Sequence, residues 1–211
     1  MNKLERALKR PFPERAISWR VGSVTKDGTK CLPLAYIDAR DVMKRLDEVF
    51  PMSWQCRYTH AEGKTICEIG CKIDGEWIWR AGGAGDTDIE AEKGAISDAF
   101  KRAAVLWGVG QYLYDIKMEW FPCVDRKING TPKLPKWATP VHWDQMVDDH
   151  ERMNSIVSVV RTLIKEGSMK EAVEVWQEVR VEDVELQEYA WFQFESQERT
   201  ALNKIIRKEA A

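Results

Sequence analysis

The sequence has few histidines and no excess of charge of either sign. It holds 3 histidines among 211 residues, and its 32 lysine and arginine residues meet 34 aspartate and glutamate residues, a formal net charge of −2. This balance excludes a polybasic, histone-like protein. No run of 18 apolar residues is present, so we expect no membrane-spanning helix. The first residues lack the apolar core of a secretory signal, and we therefore expect a cytoplasmic protein.

Motifs that bind metals or nucleotides are also missing. The five cysteines form no C-x2-C pair, and Cys67 and Cys71, which share one face of a predicted strand, have no second pair of ligands. Reduced thiols are the favoured interpretation. The glycine-rich segment at 82–85 lacks the G-x4-G-K-S/T pattern of a phosphate loop, and we expect it to turn a strand into a helix. No cofactor is expected.

The near-neutral total hides an uneven distribution of charge. Residues 1–140 hold 23 basic and 19 acidic side chains, a net charge of +4, whereas residues 141–211 hold 9 basic and 15 acidic side chains, a net charge of −6. A hydrophobic content of 44% is enough to fill a packed core. We therefore expect a weakly basic domain over 1–140 and an acidic module over 141–211.

Hydrophobic periodicity predicts an α+β fold for the basic domain. A three-stranded antiparallel meander runs from Trp54 to Trp79, with Asp74-Gly75 as a hairpin turn. A capping box at 87–90 opens a long helix to about Trp107. Its predicted core stripe consists of Ile89, Ile96, Phe100, Ala103 and Trp107. The other predicted elements are a short N-terminal helix, a hairpin at 16–25 and 29–36, a helix at 38–50 and a proline-rich loop at 120–140.

The acidic module is predicted to be α-helical. A helical pattern at 146–166 ends at Gly167, and a capping box at 168–171 opens a helix toward Val179. Residues 196–209 are predicted to form the last helix. Between Glu171 and Glu198 there are nine acidic residues and one basic residue, Arg180.

The long helix carries cations opposite its apolar stripe. At 100° per residue, Lys101 and Arg102 straddle the pole opposite the stripe, and Lys93, Ser97 and Lys101 follow one flank at i, i+4 and i+8. Asp98 lies one turn before Arg102, in the favourable order of acid before base. The spacing of these cations suits successive phosphates, although a solvated polar face is the alternative interpretation.

The segment from Gly83 to Asp115, GAGDTDIEAEKGAISDAFKRAAVLWGVGQYLYD, resembles the signature of the Rad52/Rad22 family of single-strand annealing proteins of homologous recombination. Upstream, the residues at 36–42 (YIDARDV), 48–50 and Trp54 resemble the first-helix region of that family. The resemblance covers roughly residues 15–120. The sequence is similar in style to bacterial and phage members, including DNA-damage-response annealing proteins, which implies a phage or prophage recombinase.

The resemblance implies a fold and a function. The fold is a β-β-β-α annealing core, made of the meander and the long helix, with a short N-terminal hairpin and the helix that follows it. The function is ATP-independent binding of single-stranded DNA and annealing of complementary strands in recombination and repair. The family acts as a ring or helical homo-oligomer with a positively charged groove, and it is not an enzyme.

The resemblance also implies DNA-contacting residues on the long helix. Lys101 and Arg102 match the basic pair that contacts the DNA backbone in the family's groove, and Lys93 matches a further basic position. The eukaryotic pattern has another arginine where this chain has Val105.

Further expected DNA contacts lie outside the long helix. The eukaryotic family pattern has an arginine where this chain has Asp41, and the adjacent Arg40 is the expected substitute. Arg57 and Lys64, on the predicted meander, complete the set. Most of the ten tryptophans are expected in the core or between protomers, with Trp19 and Tyr58 as candidates for stacking on bases.

Two alternatives stay open. Asp86 and Asp88 are candidates for a Mg²⁺ site in a nuclease, although capping of the long helix is the simpler role for this acidic segment. The acidic helices at 141–211 are a candidate docking surface for a partner such as an exonuclease or a single-strand-binding protein. They are equally candidates for a packing appendage, an internal mimic of DNA or a solvated face.

Overall fold

The computed structural model describes residues 2–85, 91–178 and 184–209, without the side chains at 91–93, 184–185 and 209. It divides into two compact units, residues 1–143 and 144–211. Among the described residues, no helix combines the length and the apolar character needed to cross a membrane.

The first unit contains helices and strands whose order, from the N-terminal helix to the long helix, is the predicted one. They are α1 (Lys3–Lys9), β1 (Ile17–Val24), β2 (Lys30–Ile37), α2 (Ala39–Val49), β3 (Trp54–Ala61), β4 (Lys64–Ile73), β5 (Glu76–Gly85), α3 (Ala91–Leu106), β6 (Phe121–Val124), β7 (Lys127–Ile128) and the start of α4 (Pro140–Lys165). The predicted α+β class, with a hairpin, a helix, an antiparallel meander and a long helix in sequence, is confirmed.

Two-residue turns join the strands of the meander. Asp74 and Gly75 have φ of 50° and 89°, and Glu62 and Gly63 have φ of 51° and 68°. Positive φ at both central residues matches the right-handed twist of the flanking strands. The sheet therefore has the order β3-β4-β5 with every pair antiparallel.

The glycine-rich segment at 82–85 is part of β5, so the prediction that it turns the strand into the helix is wrong. Its role is to let α3 pack closely against β5. A Cβ added at Gly82 would lie 2.6 Å from the carbonyl carbon of Arg102 and 2.8 Å from the Cα of Ala103. The backbones of β5 and α3 are thus in direct contact, because Gly82 has no side chain to separate them.

The buried side of α3 is made mainly of alanine. Ala95, Ala99, Ala103 and Ala104 are at most 5% exposed and pack with Phe100 and Trp107. The predicted stripe is correct at Phe100, Ala103 and Trp107 but wrong at Ile96, whose side chain is 39% exposed. Because α3 lies so close to β5, only small side chains fit between them, and the larger Ile96 side chain lies on a part of the helix that faces away from the sheet. Ile89 lies outside the described residues.

Part of the predicted loop at 120–140 is a small hairpin. Strands β6 and β7 join the N-terminal strands in a sheet of order β1-β2-β6-β7. The pairing of β2 with β6 involves Lys30 and Cys31, and the turn between β6 and β7 has positive φ at Asp125 and Arg126. Strands of two to four residues contain too little alternation to be recognised in the sequence.

Buried Arg45 holds the N-terminal helix against α2. Its guanidinium donates to the backbone carbonyls of Ala7, Leu8 and Arg10 at 3.0, 3.2 and 2.6 Å. It also lies over the ring of Phe12, 4.3 Å from the centroid. Burial lowers the pKa of this guanidinium from its usual value, but three carbonyl acceptors keep the charged form satisfied.

The cysteines are free thiols with different environments. Cys56 is exposed, whereas Cys31, Cys67, Cys71 and Cys123 are buried. Burial raises the pKa of Cys67 to about 11 and that of Cys71 to about 12. Both thiols are therefore protonated at neutral pH and pack as small apolar side chains.

The second unit is helical, as predicted. It contains most of α4, together with α5 (Met169–Gln177), α6 (Val184–Gln193) and α7 (Ser196–Glu209). Helix α6 was not predicted, and α4 begins before the predicted position 146. Arg161 pairs with Glu198 at 2.8 Å and donates to the carbonyl of Gln193. Val179 and Arg180 lie outside the described residues.

We predict that Gly82→Ala destabilises the first unit by about 2–3 kcal/mol, because the added methyl forces β5 and α3 apart. The matched control is Gly83→Ala, where the nearest atom to the new Cβ is 3.6 Å away. Urea unfolding of both variants measures the difference. Equal midpoints would show that the two backbones are not packed as described.

Candidate functional site

A cleft of about 680 Å³ opens in the first unit between the N-terminal hairpin, α3 and the segment that follows α3. One wall is the hairpin, with Arg20 from β1 and Tyr36 from β2. The second wall is the exposed side of α3, and the third is the chain from Val109 to Met118. The cleft therefore brings the N-terminal hairpin together with α3 and the segment after α3, which lie much later in the chain.

The α3 wall contains both residues of the predicted basic pair. Residues along it follow helical spacing, and they are Gly94, Ser97, Asp98, Lys101, Arg102 and Val105. Lys101 is half-buried and Arg102 is exposed. The structure thus directs the two adjacent cations into one cleft.

Lys101 is held by an aromatic ring. Its Nζ lies 5.6 Å from the centroid of the Tyr36 ring, within the range of a cation–π interaction. In the part of the chain that the structure describes, no carboxylate forms an ion pair with Lys101. Its positive charge is therefore positioned by Tyr36 and remains available to an anion.

Arg102 is held by two acceptors but stays accessible. Its Nε lies 2.9 Å from a carboxylate oxygen of Asp98, and its Nη1 donates to the carbonyl of Gly83 at 3.3 Å. The Arg102 side chain is 56% exposed. These contacts orient the guanidinium across the end of β5, and the remaining donors face solvent.

Arg20 is a cation of the cleft that sequence reasoning missed. It is exposed and lies opposite Leu34 in the β1–β2 register, so the two side chains share one face of the hairpin. Both residues line the cleft. Because side chains alternate along β1, Arg20 lies on the opposite face of the strand from Trp19 and Val21. This alternation was the sequence pattern from which the position of Arg20 could have been predicted.

The other predicted site residues lie elsewhere. Arg40 is exposed on α2 and Lys64 is exposed at the start of β4, and neither lines the cleft. Arg57 of β3 forms two hydrogen bonds with Glu68, at 2.6 and 3.2 Å, and lies 4.2 Å from the centroid of the Trp79 ring. The carboxylate of Glu68 neutralises much of the charge of Arg57. The side chain of Lys93 lies outside the described part of α3.

The alternative metal site was predicted from two aspartates that precede α3. Asp86 and Asp88 lie outside the described residues. Within the ranges 2–85, 91–178 and 184–209, no group of three or more histidine, cysteine, aspartate or glutamate side chains is arranged to hold a metal ion.

Several aromatic residues are part of the core of the first unit. Trp54 packs against Phe100 with ring centroids 6.1 Å apart, and Trp107 packs against Phe50 at 6.0 Å. The indole N–H of Trp107 donates to the carbonyl of Ile69 at 3.2 Å. Of the two candidates for base stacking, Trp19 is half-buried and Tyr58 is 41% exposed, and neither lines the cleft.

Comparison with known proteins agrees with this architecture. Residues 1–131 match the family described as "Rad52/22 family double-strand break repair protein". The chain belongs to the Rad52/22 family. The part that matches this family contains all three walls of the cleft and ends before α4. The resemblance carried by residues 83–115 is therefore confirmed.

Two curated relatives of this Rad52/22 family member have the name "Single-stranded DNA-binding protein DdrA". The protein from Deinococcus deserti is 34% identical over 184 residues, which cover 85% of this chain and 88% of the relative. The protein from Deinococcus radiodurans is 34% identical over 146 residues, 67% of this chain and 70% of the relative. No solved structure matches the chain.

The similarity to the relative from Deinococcus deserti extends into the second unit. Its alignment covers 85% of this chain, and residues 1–143 alone are too few to account for that share. The helical unit is therefore shared, at least in part, with that relative.

We predict that the cations of the cleft are dispensable for folding. Lys101→Gln and Arg102→Gln should each change the free energy of unfolding by less than about 1 kcal/mol, because both side chains make exposed or half-exposed contacts. Arg45→Gln should cost about 2–4 kcal/mol, because it removes a buried guanidinium that donates to three backbone carbonyls. Chemical denaturation of the three variants measures this contrast, and a large loss at Lys101 or Arg102 would contradict it.

Proposed function

We propose that this chain binds single-stranded DNA and anneals complementary strands during recombination and repair, without ATP. The observation that carries the proposal is the convergence of Lys101, Arg102 and Arg20 in one cleft. The names of the two Deinococcus relatives support the choice of ligand. We place the active protein in the cytoplasm, where bacterial DNA is found.

The chemistry of the cleft suits a ligand held by its backbone. A protein that anneals strands must bind phosphates and leave the base edges free to pair, so it needs cations rather than a base-reading helix. Lys101 and Arg102 supply two adjacent charges on α3, and Arg20 supplies a third from the hairpin. The carboxylate of Asp98 offsets one of them, which keeps the attraction moderate and reversible.

A homo-oligomer, in the form of a ring or a helical filament, is part of the proposal. A few phosphate contacts in each protomer bind weakly, but a row of linked protomers multiplies them along one strand. Among the described residues, β3 and β5 are the edges of the meander sheet. Open edges are available for pairing with another copy, and Trp77 and Ile78 of β5 are each 41% exposed.

The acidic second unit is proposed to act as a docking surface for a partner protein in recombination. The notable feature is its net charge of −6 over residues 141–211, against +4 over residues 1–140. An exonuclease that generates single strands, or a single-strand-binding protein, is the proposed kind of partner.

We predict that reversing the charge at Lys101 and Arg102 abolishes binding of single-stranded DNA. The double variant Lys101→Glu/Arg102→Glu replaces attraction by repulsion at adjacent phosphates, and it should lower the affinity more than 100-fold. The matched control is Lys26→Glu/Lys72→Glu, which changes the net charge equally at exposed positions outside the cleft. Fluorescence anisotropy with a labelled thymidine oligonucleotide measures both. Unaltered annealing by the cleft variant would refute the site.

The milder variant Lys101→Gln/Arg102→Gln tests the electrostatic origin of the affinity. Each lost phosphate contact reduces the slope of log affinity against log salt by about 0.7 for a single strand. The double variant should therefore give a slope shallower by about 1.4. An unchanged slope would mean that these side chains do not contact phosphates.

We predict that annealing of complementary oligonucleotides proceeds in EDTA as well as in Mg²⁺, because no catalytic step or metal is part of the proposed mechanism. A gel assay with labelled strands reads annealing and cleavage together. Cleavage that requires Mg²⁺ would instead favour the nuclease alternative, with Asp86 and Asp88 as the metal ligands.

A further inference from the structure

The cleft contains an exposed aromatic ring that phosphate binding does not use. Tyr114 lines the cleft together with Lys101 and Arg102, and 73% of its surface is accessible to solvent. An aromatic side chain this exposed loses the stabilisation that burial would provide. Among the described residues, no partner forms a hydrogen bond or ring contact with the Tyr114 side chain.

The backbone beneath Tyr114 is fixed although its ring is free. The 3₁₀ turn Gln111–Tyr114 follows Gly110, whose φ of 70° is in the left-handed region. Tyr112 of this turn is buried, and its hydroxyl accepts a hydrogen bond from the backbone N–H of Phe12 at 3.0 Å. Leu113 packs against the core. Tyr114 is thus presented by an anchored element rather than by a loose loop.

The second aromatic ring of the cleft already has a role. Tyr36 faces the ammonium group of Lys101, and the ring is half-buried. Among the cleft-lining residues that the structure describes, Tyr36 and Tyr114 are the aromatic ones. The ring available to an incoming planar group is therefore that of Tyr114.

The cleft pairs its cations with apolar surface. Leu34, Val105, Ile116 and Met118 line it as well, and Leu34 is 37% exposed. A phosphate alone gains nothing from contact with an apolar surface. A nucleotide, in contrast, presents both an anion and a flat apolar base. The composition of the cleft matches both parts of a nucleotide.

We propose that Tyr114 is a stacking platform for one base of the bound strand, while phosphates of the same strand contact Lys101 and Arg102. This inference rests on the proposed binding of single-stranded DNA. Stacking engages the face of a base and leaves its Watson–Crick edge free, so a base held on Tyr114 remains able to pair. The subsite tolerates every base, because each base has a π-face.

The test compares Tyr114→Leu with Tyr114→Phe. Leucine removes the ring and keeps an apolar side chain, whereas phenylalanine keeps the ring. Tyr114→Leu should lower the affinity for a thymidine oligonucleotide about 5- to 100-fold, as expected for the loss of one stacked base, with an unchanged salt slope. Tyr114→Phe should stay within about twofold of the natural protein. Phe192→Leu, at an exposed aromatic residue of the second unit, is the control.

A base-free ligand separates stacking from phosphate binding. On an abasic oligonucleotide of equal length, the natural protein and Tyr114→Leu should bind equally. Photocrosslinking of an oligonucleotide that contains 5-iodouracil, followed by mass spectrometry, should identify Tyr114 as the attachment site.

Three results would overturn the proposal. The first is equal affinity of Tyr114→Leu and the natural protein for thymidine. The second is an equal loss on thymidine and abasic ligands. The third is a loss accompanied by a smaller particle in light scattering, which would assign Tyr114 to contacts between copies of the chain. If the Lys101 and Arg102 variants lose binding while Tyr114→Leu retains it, the stacking site fails and the proposed function stands. If the natural protein binds neither ligand, both fail.

Discussion

The direct contact between the backbones of β5 and α3 is the constraint on which the first unit depends. At Gly82 there is no room for a Cβ, since one would lie 2.6 Å from the carbonyl carbon of Arg102. The contact involves the backbone of Arg102 and of Ala103, the residue after the basic pair. By fixing the rotation of α3 at Ala103, it buries the alanine side and turns Lys101 and Arg102 toward the cleft. A single glycine on a strand thereby orients the cations on a helix.

The cleft combines three chemistries that come from different elements. Helix α3 supplies adjacent cations, the β1–β2 hairpin supplies Arg20 and the ring that holds Lys101, and the segment after α3 supplies Tyr114 and apolar surface. The carboxylate of Asp98 offsets part of the charge of Arg102. We expect such a site to bind a strand only moderately in one protomer, and this expectation is consistent with the proposed homo-oligomer.

An exposed cation in this chain is not always available to a ligand. Arg57 and Arg102 are both exposed arginines, but Arg57 is held by both oxygens of Glu68 and lies over Trp79. Arg102 shares its charge with Asp98 and still presents free donors inside a cleft. Neither the total charge of −2 nor the +4 of residues 1–140 distinguishes the two. Position within the fold does.

The sequence by itself determined the order of elements from α1 to α3, the two hairpin turns of the meander, the family and the basic pair at Lys101 and Arg102, because these features depend on patterns within a few neighbouring residues. Tertiary structure decided the exposure of Ile96, the strand conformation of the segment 82–85, the hairpin at 121–128 and the entry of Arg20 and Tyr114 into the cleft. Those outcomes depend on which distant parts of the backbone approach each other. The spacing of side chains along one element does not specify that approach.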